Sequence, residues 1–255
     1  MAARLGYTPN VTTRPTPVSR GCFITLEGPE GSGKTSQAEA LRARLADAGF
    51  TVTLAREPGG TLTGERIRAI LLHPASADAP AAEPGPRTDA LLFNAARAQL
   101  VAEVIGPSIA RGEVVVCARF ADSTLAYQGY GAGLPRDELR TLERFATDGL
   151  RPDLTIVLDV PPEIGLARKS GAEVTRFEAG FDVAFHRRVR DGFLALASAE
   201  PGRFAVIDAT RPLVAVFEAI VEVVADRVPE LAAVRRRPST AAGDEPAPIP
   251  LRIPR

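Results

Sequence analysis

The sequence is poor in several residue types and patterns, and each shortage excludes a class of protein. No apolar run approaches the ~20 residues that a helix needs to span a bilayer. The formal net charge is zero, so no electrostatic reason exists to expect nucleic acid or an anionic membrane as a partner. We therefore predict a protein with no nucleic-acid partner and no membrane partner.

Cysteine and histidine are also scarce, with two residues of each. Cys22 and Cys117 lie in apolar, strand-like runs and are expected to be buried thiols in a reducing compartment. His73 and His186 are far apart and have no metal-ligand companions, which argues against a zinc site. The first 20 residues contain no apolar segment typical of a secretory signal. We therefore expect a cytoplasmic protein.

The two ends of the chain differ in composition from the middle. Residues 1–20 are rich in Pro and Thr and lack periodicity, which predicts a flexible arm. Residues 229–255 are rich in Ala, Pro and Arg, which predicts a disordered tail. Residues 21–228 would then form one domain with a substantial core.

Short apolar runs alternate with helical patterns through this domain. The predicted strands are Cys22–Leu26, Thr51–Ala55, Val114–Cys117, Leu154–Leu158 and Phe204–Ile207. The helical patterns begin near Lys34, Thr61, Thr88, Arg136, Pro162, Phe181 and Pro212. This alternation predicts a three-layer α/β/α fold, in which helices cover both faces of a five-stranded, mainly parallel sheet.

A glycine-rich turn joins the first predicted strand to the first predicted helix. Its sequence, Gly28-Pro29-Glu30-Gly31-Ser32-Gly33-Lys34-Thr35, matches the phosphate-binding pattern GxxxxGK[ST]. Backbone N–H groups in such a turn, together with the positive end of the following helix, bind phosphate oxygens. We predict that these eight residues bind a nucleoside triphosphate. Lys34 would bridge its β- and γ-phosphates, and the Thr35 hydroxyl would ligate Mg²⁺.

Four further segments narrow the choice of reaction, because many enzymes share a P-loop. Residues 56–61 follow the second strand and therefore lie at the carboxyl edge of the sheet, where ligands bind. Phe93 and Arg97 share one helical face, which suits a ring stacked on a base with a guanidinium at its polar edge. Phe93 alone is explained equally well as a core residue. The other two segments are residues 119–128 and 175–178.

In this order the segments resemble the motifs of the thymidylate kinase family, whose members phosphorylate dTMP with ATP. The matching stretches are LEGPEGSGKT, REPGGT, LFNAARAQ, ADSTLAYQG and TRFE, spread over residues 21–228. The resemblance implies a P-loop kinase fold with a short lid and dTMP and ATP as small-molecule substrates. It also implies Mg²⁺ as the cofactor and a homodimer.

The resemblance also implies a role for each motif residue in the dTMP pocket. Phe93 would stack on thymine, and Arg97 would hydrogen-bond to the carbonyl edge of the base. Tyr127 would fill the space that a ribose 2′-hydroxyl needs, and Arg119 would bind the acceptor phosphate. The remaining pocket residues would be Glu30, near the sugar 3′-hydroxyl or the acceptor phosphate, and Glu57, Thr124 and Gln128.

Residues 168–178 resemble the mobile lid of this family. When the variable P-loop positions hold no basic residue, as at positions 29–32 here, the lid of such members supplies the catalytic arginine. Arg168, Lys169 and Arg176 are the candidates for stabilising the transferring phosphoryl group, beside Lys34 and Arg119. Arg168 and Lys169 are explained equally well as a solvated helix end.

Two positions depart from the family pattern, because Ala118 and Thr175 stand where the family has aspartate. The aspartate expected at position 118 normally lies near Mg²⁺. Three interpretations remain open. The chain is a working kinase in which Thr35, the triphosphate and either Glu57 or Asp122 hold Mg²⁺. Otherwise it is a degenerate paralogue that binds dTMP and ATP without transfer, or a kinase for another deoxynucleoside monophosphate.

Overall fold

The sheet matches the sequence prediction closely. The computed structural model describes residues 20–72, 84–169 and 175–235. Its strands all pair in parallel, in the order β2-β3-β1-β4-β5. They are β1 (Cys22–Glu27), β2 (Val52–Arg56), β3 (Val114–Ala118), β4 (Leu154–Asp159) and β5 (Phe204–Asp208). The predicted five-stranded, mainly parallel sheet is confirmed, and every pairing between these strands is parallel.

Helices connect the strands and supply the outer layers. They are α1 (Lys34–Asp47), α2 (Leu62–Leu72), α3 (Pro86–Leu100), α4 (Gly106–Ala110), α5 (Ala121–Thr124), α6 (Arg136–Thr147), α7 (Pro162–Lys169), α8 (Arg176–Ala179), α9 (Val183–Ala199) and α10 (Leu213–Arg227). π-Helical turns at Val101–Ile105 and Leu125–Gly131 continue α3 and α5. The α3 helix begins two residues before the predicted Thr88, because Pro86 suits the first turn of a helix.

Alternate residues of the strands enter two opposite apolar layers. Ile24, Val116 and Ile156 pack with α1 and α10 on one face. Phe23 and Val115 pack with the end of α3 and the turn after it on the other face. Burial on both faces explains why these strands are almost wholly apolar. It also makes the carboxyl edge of the sheet a rigid base for the loops that follow β1, β2 and β3.

The predicted tail boundary at residue 229 is wrong. Pro229–Arg235 form a 3₁₀ helix, and Leu231 and Val234 are fully buried against the layer formed by α1 and α10. Side chains three residues apart lie on one side of a 3₁₀ helix, a spacing that the Ala/Pro/Arg-rich composition obscures. Residues 236–255 of the expected tail and residues 1–19 of the expected arm lie outside the described residues.

Two further predictions from composition concern the cysteines and membrane-spanning helices. Cys22 and Cys117 are buried free thiols, as predicted, and burial raises the pKa of Cys22 to about 12. In the three described ranges, no helix is long and apolar enough to cross a membrane.

Candidate active site

A cavity of about 380 Å³ opens at the carboxyl ends of β1, β2 and β3. Parallel α/β sheets bind their ligands at this edge. Most of the predicted site residues line it: Glu30, Gly31, Gly33, Lys34, Thr35, Glu57, Phe93, Arg119, Thr124, Tyr127, Gln128 and Arg168. One cavity therefore brings the P-loop together with the predicted acceptor residues.

The P-loop leaves β1 and runs directly into α1. Its lysine folds back over the loop, and Lys34 Nζ donates to the carbonyl oxygens of Gly28 at 3.0 Å and Pro29 at 2.7 Å, and to Ser32 Oγ at 3.1 Å. Burial and the neighbouring Arg119 lower the pKa of Lys34 to about 7. An incoming triphosphate offers this ammonium stronger, anionic acceptors than the neutral carbonyls do.

Two glycines bring the P-loop into direct contact with α7. A Cβ atom on Gly31 would lie 1.9 Å from the carbonyl oxygen of Gly165, and one on Gly165 would lie 2.1 Å from the carbonyl oxygen of Glu30. Gly31 also has a φ of +68°, which side chains disfavour. The backbone of the phosphate-binding loop is therefore held against the helix that leads to the lid.

Glu30 is the centre of a partly buried charge network. Its carboxylate accepts hydrogen bonds from the Arg119 guanidinium and, at 2.8 Å, from the Tyr127 hydroxyl. Lys169 Nζ lies 3.9 Å from Glu30 Oε2. Burial works to raise the pKa of Glu30, but Arg119, Lys34 and Lys169 outweigh it and hold that pKa well below its usual range. The carboxylate is therefore ionised and gathers three cations at the cavity.

Arg119 is held in an unusual backbone conformation. It has a φ of +71°, which residues other than glycine rarely adopt. Its guanidinium also donates to the Gly28 carbonyl and to Ser123 Oγ, both at 3.3 Å, and lies 5.1 Å from the centre of the Tyr127 ring. These contacts aim the side chain across the cavity at the P-loop.

Aromatic rings form the other end of the cavity. The ring of Phe177, in α8, lies 5.8 Å from that of Phe93 and 5.9 Å from that of Tyr127, measured between centroids. Phe177 lines the cavity but was missed by the sequence reasoning. Its place directly after Arg176 in the TRFE stretch was the available signal. Phe93, Phe177 and Tyr127 provide an apolar site for a planar ring.

Arg97 lies beneath the cavity and not at its surface, which differs from the predicted contact with a base edge. Its side chain is only 1% exposed. It donates from Nε to Glu57 at 2.9 Å and from Nη1 to Asn94 Oδ1 at 3.0 Å. Nη2 donates to the Phe120 carbonyl at 3.1 Å and to Thr124 Oγ1 at 3.0 Å. The fork geometry of the guanidinium thus ties together Glu57, Thr124 and the backbone below the pocket.

Arg176 is a second predicted catalytic residue with a different position. It is buried, does not line the cavity, and donates to Asp89 Oδ1 at 2.6 Å and to the carbonyl oxygens of Leu71 and Pro84, each at 3.1 Å. These partners anchor α8 to α2 and α3. The motif spacing does not reveal them, because Asp89 is far from Arg176 in sequence.

The two remaining lid candidates lie at the end of α7 and face different partners. Arg168 lines the cavity and donates to the carbonyl oxygens of Ala209 at 2.9 Å and Thr210 at 3.4 Å. Lys169 is directed at Glu30 in the P-loop. Residues 170–174 of the predicted lid lie outside the described residues. Of the lid cations described, Lys169 is therefore the one that meets the phosphate-binding loop.

The donor set available to Mg²⁺ is small. Thr35 lines the main cavity and an adjoining one of about 540 Å³, which Ala118 also lines. The two acids expected to compensate for Ala118 are occupied, since Glu57 pairs with Arg97 at 2.8 Å and Asp122 pairs with Arg203 at 2.7 Å. Among the residues that the structure describes, no three His, Cys, Asp or Glu side chains form a metal-binding group. The side chains present fit a magnesium ion that takes one hydroxyl from the protein and its other ligands from phosphates and water.

Comparison with known proteins identifies the family. The family model for thymidylate kinase matches residues 26–220. The chain belongs to the thymidylate kinase family. The thymidylate kinase of Deinococcus radiodurans is 53% identical over 196 residues, which cover 76% of this chain and 92% of that relative. The thymidylate kinase of Thermomicrobium roseum is 50% identical over 200 residues, covering 78% of this chain and 91% of that relative.

A solved structure supports the same assignment. The crystal structure of thymidylate kinase from Ehrlichia chaffeensis matches with a TM-score of 0.64 and 34% sequence identity, covering 80% of this chain and 99% of that one. The predicted P-loop kinase fold and the thymidylate kinase resemblance are confirmed. As a member of the thymidylate kinase family, the chain is a phosphotransferase that transfers the γ-phosphoryl group of ATP to dTMP. The comparisons do not favour a degenerate paralogue or a kinase for another nucleotide.

Proposed function

We propose that the cavity is a two-substrate site whose donor half is residues 28–35 and whose acceptor half is built on Arg119. The observation that carries this assignment is the Glu30 network, in which Lys34 of the P-loop and Arg119 face the same carboxylate. In this arrangement an oxygen of the dTMP phosphate attacks the γ-phosphorus of ATP between the two cations, the bond from that phosphorus to the β–γ bridging oxygen breaks, and ADP leaves as dTDP forms. The acceptor is already anionic, so catalysis needs positioning and charge neutralisation more than a strong base.

In the donor half, the triphosphate replaces the loop carbonyls as the partner of Lys34. The glycines of the loop allow backbone N–H groups to surround the phosphates, with Pro29, Glu30 and Ser32 completing the turn. Thr35 would supply a hydroxyl ligand for Mg²⁺, which would neutralise phosphate charge when bound.

In the acceptor half, the dTMP phosphate takes the place of Glu30 at the Arg119 guanidinium. Glu30 then serves the 3′-hydroxyl of the sugar, and Tyr127 occupies the space of a ribose 2′-hydroxyl. Phe93 and Phe177 enclose the thymine ring. Gln128 and Thr124 line the polar side of that pocket.

Two arginines take roles that differ from the sequence expectation. Arg97 positions Glu57 and Thr124 from below, since its buried guanidinium bonds to both. Arg176 anchors α8, and with it Phe177, through Asp89. Lys169 is the lid cation that faces the P-loop, and Arg168 lines the same cavity beside it. Closure of the lid would exclude water and limit ATP hydrolysis.

A linked bisubstrate compound tests the two-halves assignment. Adenosine and thymidine joined through a chain of phosphates should displace both ATP and dTMP from the protein in a fluorescence competition experiment. Displacement of only one nucleotide would show that the two halves do not form one cavity.

Introduction of an acid at position 118 should lower the Mg²⁺ requirement. Ala118 and Thr35 line the same adjoining cavity, so a carboxylate there would help to orient metal-bound water. We expect Ala118→Asp to reach half-maximal rate at about tenfold less Mg²⁺, and Ala118→Asn, of similar size without charge, to change little. Calorimetric titration of ATP binding against Mg²⁺ gives a readout besides activity. An unchanged or higher requirement in Ala118→Asp would refute this account.

A methyl group at Gly165 should disturb the donor half. Because its Cβ would lie 2.1 Å from the Glu30 carbonyl, Gly165→Ala must push the P-loop away from α7. We expect kcat/KM for ATP to fall by about tenfold to 100-fold in steady-state assays. Gly202→Ala is the matched control, because a Cβ there meets nothing within 4 Å. Equal activity of the two variants would show that the close contact between Gly165 and the Glu30 carbonyl does not matter for catalysis.

We further propose a homodimer in the cytoplasm, where dTMP and ATP are available. The α3 helix packs between α2 and α6, and these helices expose large apolar side chains. They are Leu62 (74% exposed), Ile70 (57%), Leu91 (58%) and Phe145 (88%). Exposed apolar surface of this kind is typical of interfaces. Light scattering should give the dimer mass, and Phe145→Glu should shift it toward the monomer.

A further inference from the structure

Glu27, the last residue of β1, is a buried carboxylate that the motif assignments do not use. It is completely buried, and its two oxygens accept hydrogen bonds from different groups. The backbone N–H of Phe120 donates to Oε1 at 2.7 Å, and the hydroxyl of Ser123 donates to Oε2 at 2.6 Å. Phe120 belongs to the turn that joins β3 to α5, and Ser123 lies in α5 itself.

The turn held by Glu27 carries Arg119. The Arg119 N–H donates to the Leu26 carbonyl at 3.0 Å, so two successive amides of the turn are bonded to the end of β1. Arg119 itself has the left-handed φ of +71°. Such a conformation persists only where the surroundings hold it in place. The Glu27 carboxylate is the side chain that supplies this restraint at the adjoining amide.

We propose that Glu27 is a positioning residue for the acceptor site, whose carboxylate holds residues 119–123 so that the Arg119 guanidinium faces the dTMP phosphate. The inference rests on the proposed role of Arg119. Glu27 acts through the turn and touches no reacting atom.

The surroundings of Glu27 make this restraint depend on pH. Burial raises the pKa of Glu27 to about 7, Asp122 adds to the rise, and the Ser123 hydroxyl, Arg119 and the Phe120 N–H oppose it. The other charged or titratable groups that face it are Lys34 from the P-loop, Arg97 from α3 and Cys117 from β3.

The protonation state of Glu27 decides how firmly it holds the turn. An ionised carboxylate accepts both hydrogen bonds, whereas a protonated one has less acceptor capacity. The restraint is therefore full above the Glu27 pKa and weakens as the pH falls through it.

The test is Glu27→Gln, which keeps the shape of the side chain but removes its charge and one acceptor oxygen. At about pH 8.5 we expect the KM for dTMP to rise about tenfold while the KM for ATP stays within about twofold. At about pH 5.5, wild-type Glu27 is neutral. The KM for dTMP of Glu27→Gln divided by that of the wild type should therefore approach one. Because dTMP itself titrates in this range for both proteins, the ratio isolates the contribution of Glu27. The proposal would be overturned if the variant-to-wild-type ratio of KM for dTMP did not change with pH. It would also be overturned if Glu27→Gln raised the KM for ATP as much as the KM for dTMP.

Two further variants keep the result interpretable. Arg119→Lys should raise the KM for dTMP. If it does not, the proposed role of Arg119 is wrong. If Arg119→Lys raises the KM for dTMP and Glu27→Gln leaves it unchanged, only the Glu27 proposal is wrong. If Glu27→Gln does not fold by circular dichroism, Ser123→Ala replaces it. Since the Ser123 hydroxyl lowers the pKa of Glu27, its loss should move the pH midpoint of the KM for dTMP upward. An unmoved midpoint would contradict the proposal.

Discussion

Replacement of Arg119 by alanine is expected to lower kcat/KM for dTMP by about 10³-fold, because this residue carries the charge opposite the acceptor phosphate. This fall in kcat/KM would be larger than the loss of one hydrogen bond to the phosphate would cause. Glu30, which pairs with Arg119 and is ionised, would be left as a negative charge close to the incoming phosphate. Steady-state kinetics with dTMP varied at saturating ATP would measure the effect.

The ligand without its phosphate provides the internal control for Arg119→Ala. Thymidine binding, measured by calorimetry, should change little in this variant, because the nucleoside lacks the group that Arg119 holds. Arg140→Ala serves as a matched arginine variant, since Arg140 is exposed on α6 and pairs there with Asp137. An equal loss of affinity for thymidine and dTMP would contradict the assignment of Arg119 to the phosphate.

Substitution of Lys34 by methionine should reduce kcat by about 10³-fold, because it removes the ammonium from the transferring phosphoryl group while keeping an unbranched side chain of similar size. Lys34 is buried and already bonded within the loop, so the variant loses charge at the centre of the donor half. The KM for dTMP should stay within about threefold of wild type. Rapid-quench measurement of a single turnover would separate this loss from product release.

Lys169→Met is the comparison for Lys34→Met, because it removes the other lysine at the same site. Its Nζ lies 3.9 Å from Glu30, and its side chain is 31% exposed, so solvent screens it more than Lys34. We expect a loss of about tenfold. A larger loss for Lys169→Met than for Lys34→Met would contradict the assignment of the P-loop lysine as the main donor-side cation.

The fold was largely predictable because its signals are local. Apolar runs such as Val114–Cys117 specify strands that are buried on both faces, and the glycine pattern from Gly28 to Gly33 specifies a turn between strand and helix. Parallel pairing then places the loops after β1, β2 and β3 at one edge. The convergence of Lys34 and Arg119 at one cavity follows from that arrangement.

The roles of several arginines could not be predicted, because hydrogen-bond direction depends on partners distant in sequence. Arg97 shares a helical face with Phe93, yet its donors turn to Glu57 and Thr124, 40 and 27 residues away. Arg176 belongs to a recognisable motif, but its guanidinium donates to Asp89, 87 residues away, and does not line the cavity. Sequence spacing places a side chain near an edge of the sheet without deciding which acceptors its guanidinium will meet.

Ala118 lies beside Thr35 at a shared cavity and so bears on how the chain would hold Mg²⁺. Glu57 and Asp122 pair with arginines. In the proposed site, Thr35 would therefore hold Mg²⁺ together with the substrate phosphates and water. Magnesium commonly keeps several waters in nucleotide sites, which makes this donor set workable. The absence of an acid at position 118 is therefore compatible with transfer but is expected to raise the Mg²⁺ requirement.

A coupled assay of ADP formation, run with ATP and millimolar Mg²⁺ against each deoxynucleoside monophosphate in turn, decides whether this chain phosphorylates dTMP. We expect turnover with dTMP well above that with every other acceptor, and dTDP formed in equal amount to ADP. Absence of turnover with dTMP under these conditions, or ADP release without dTDP, would contradict this expectation.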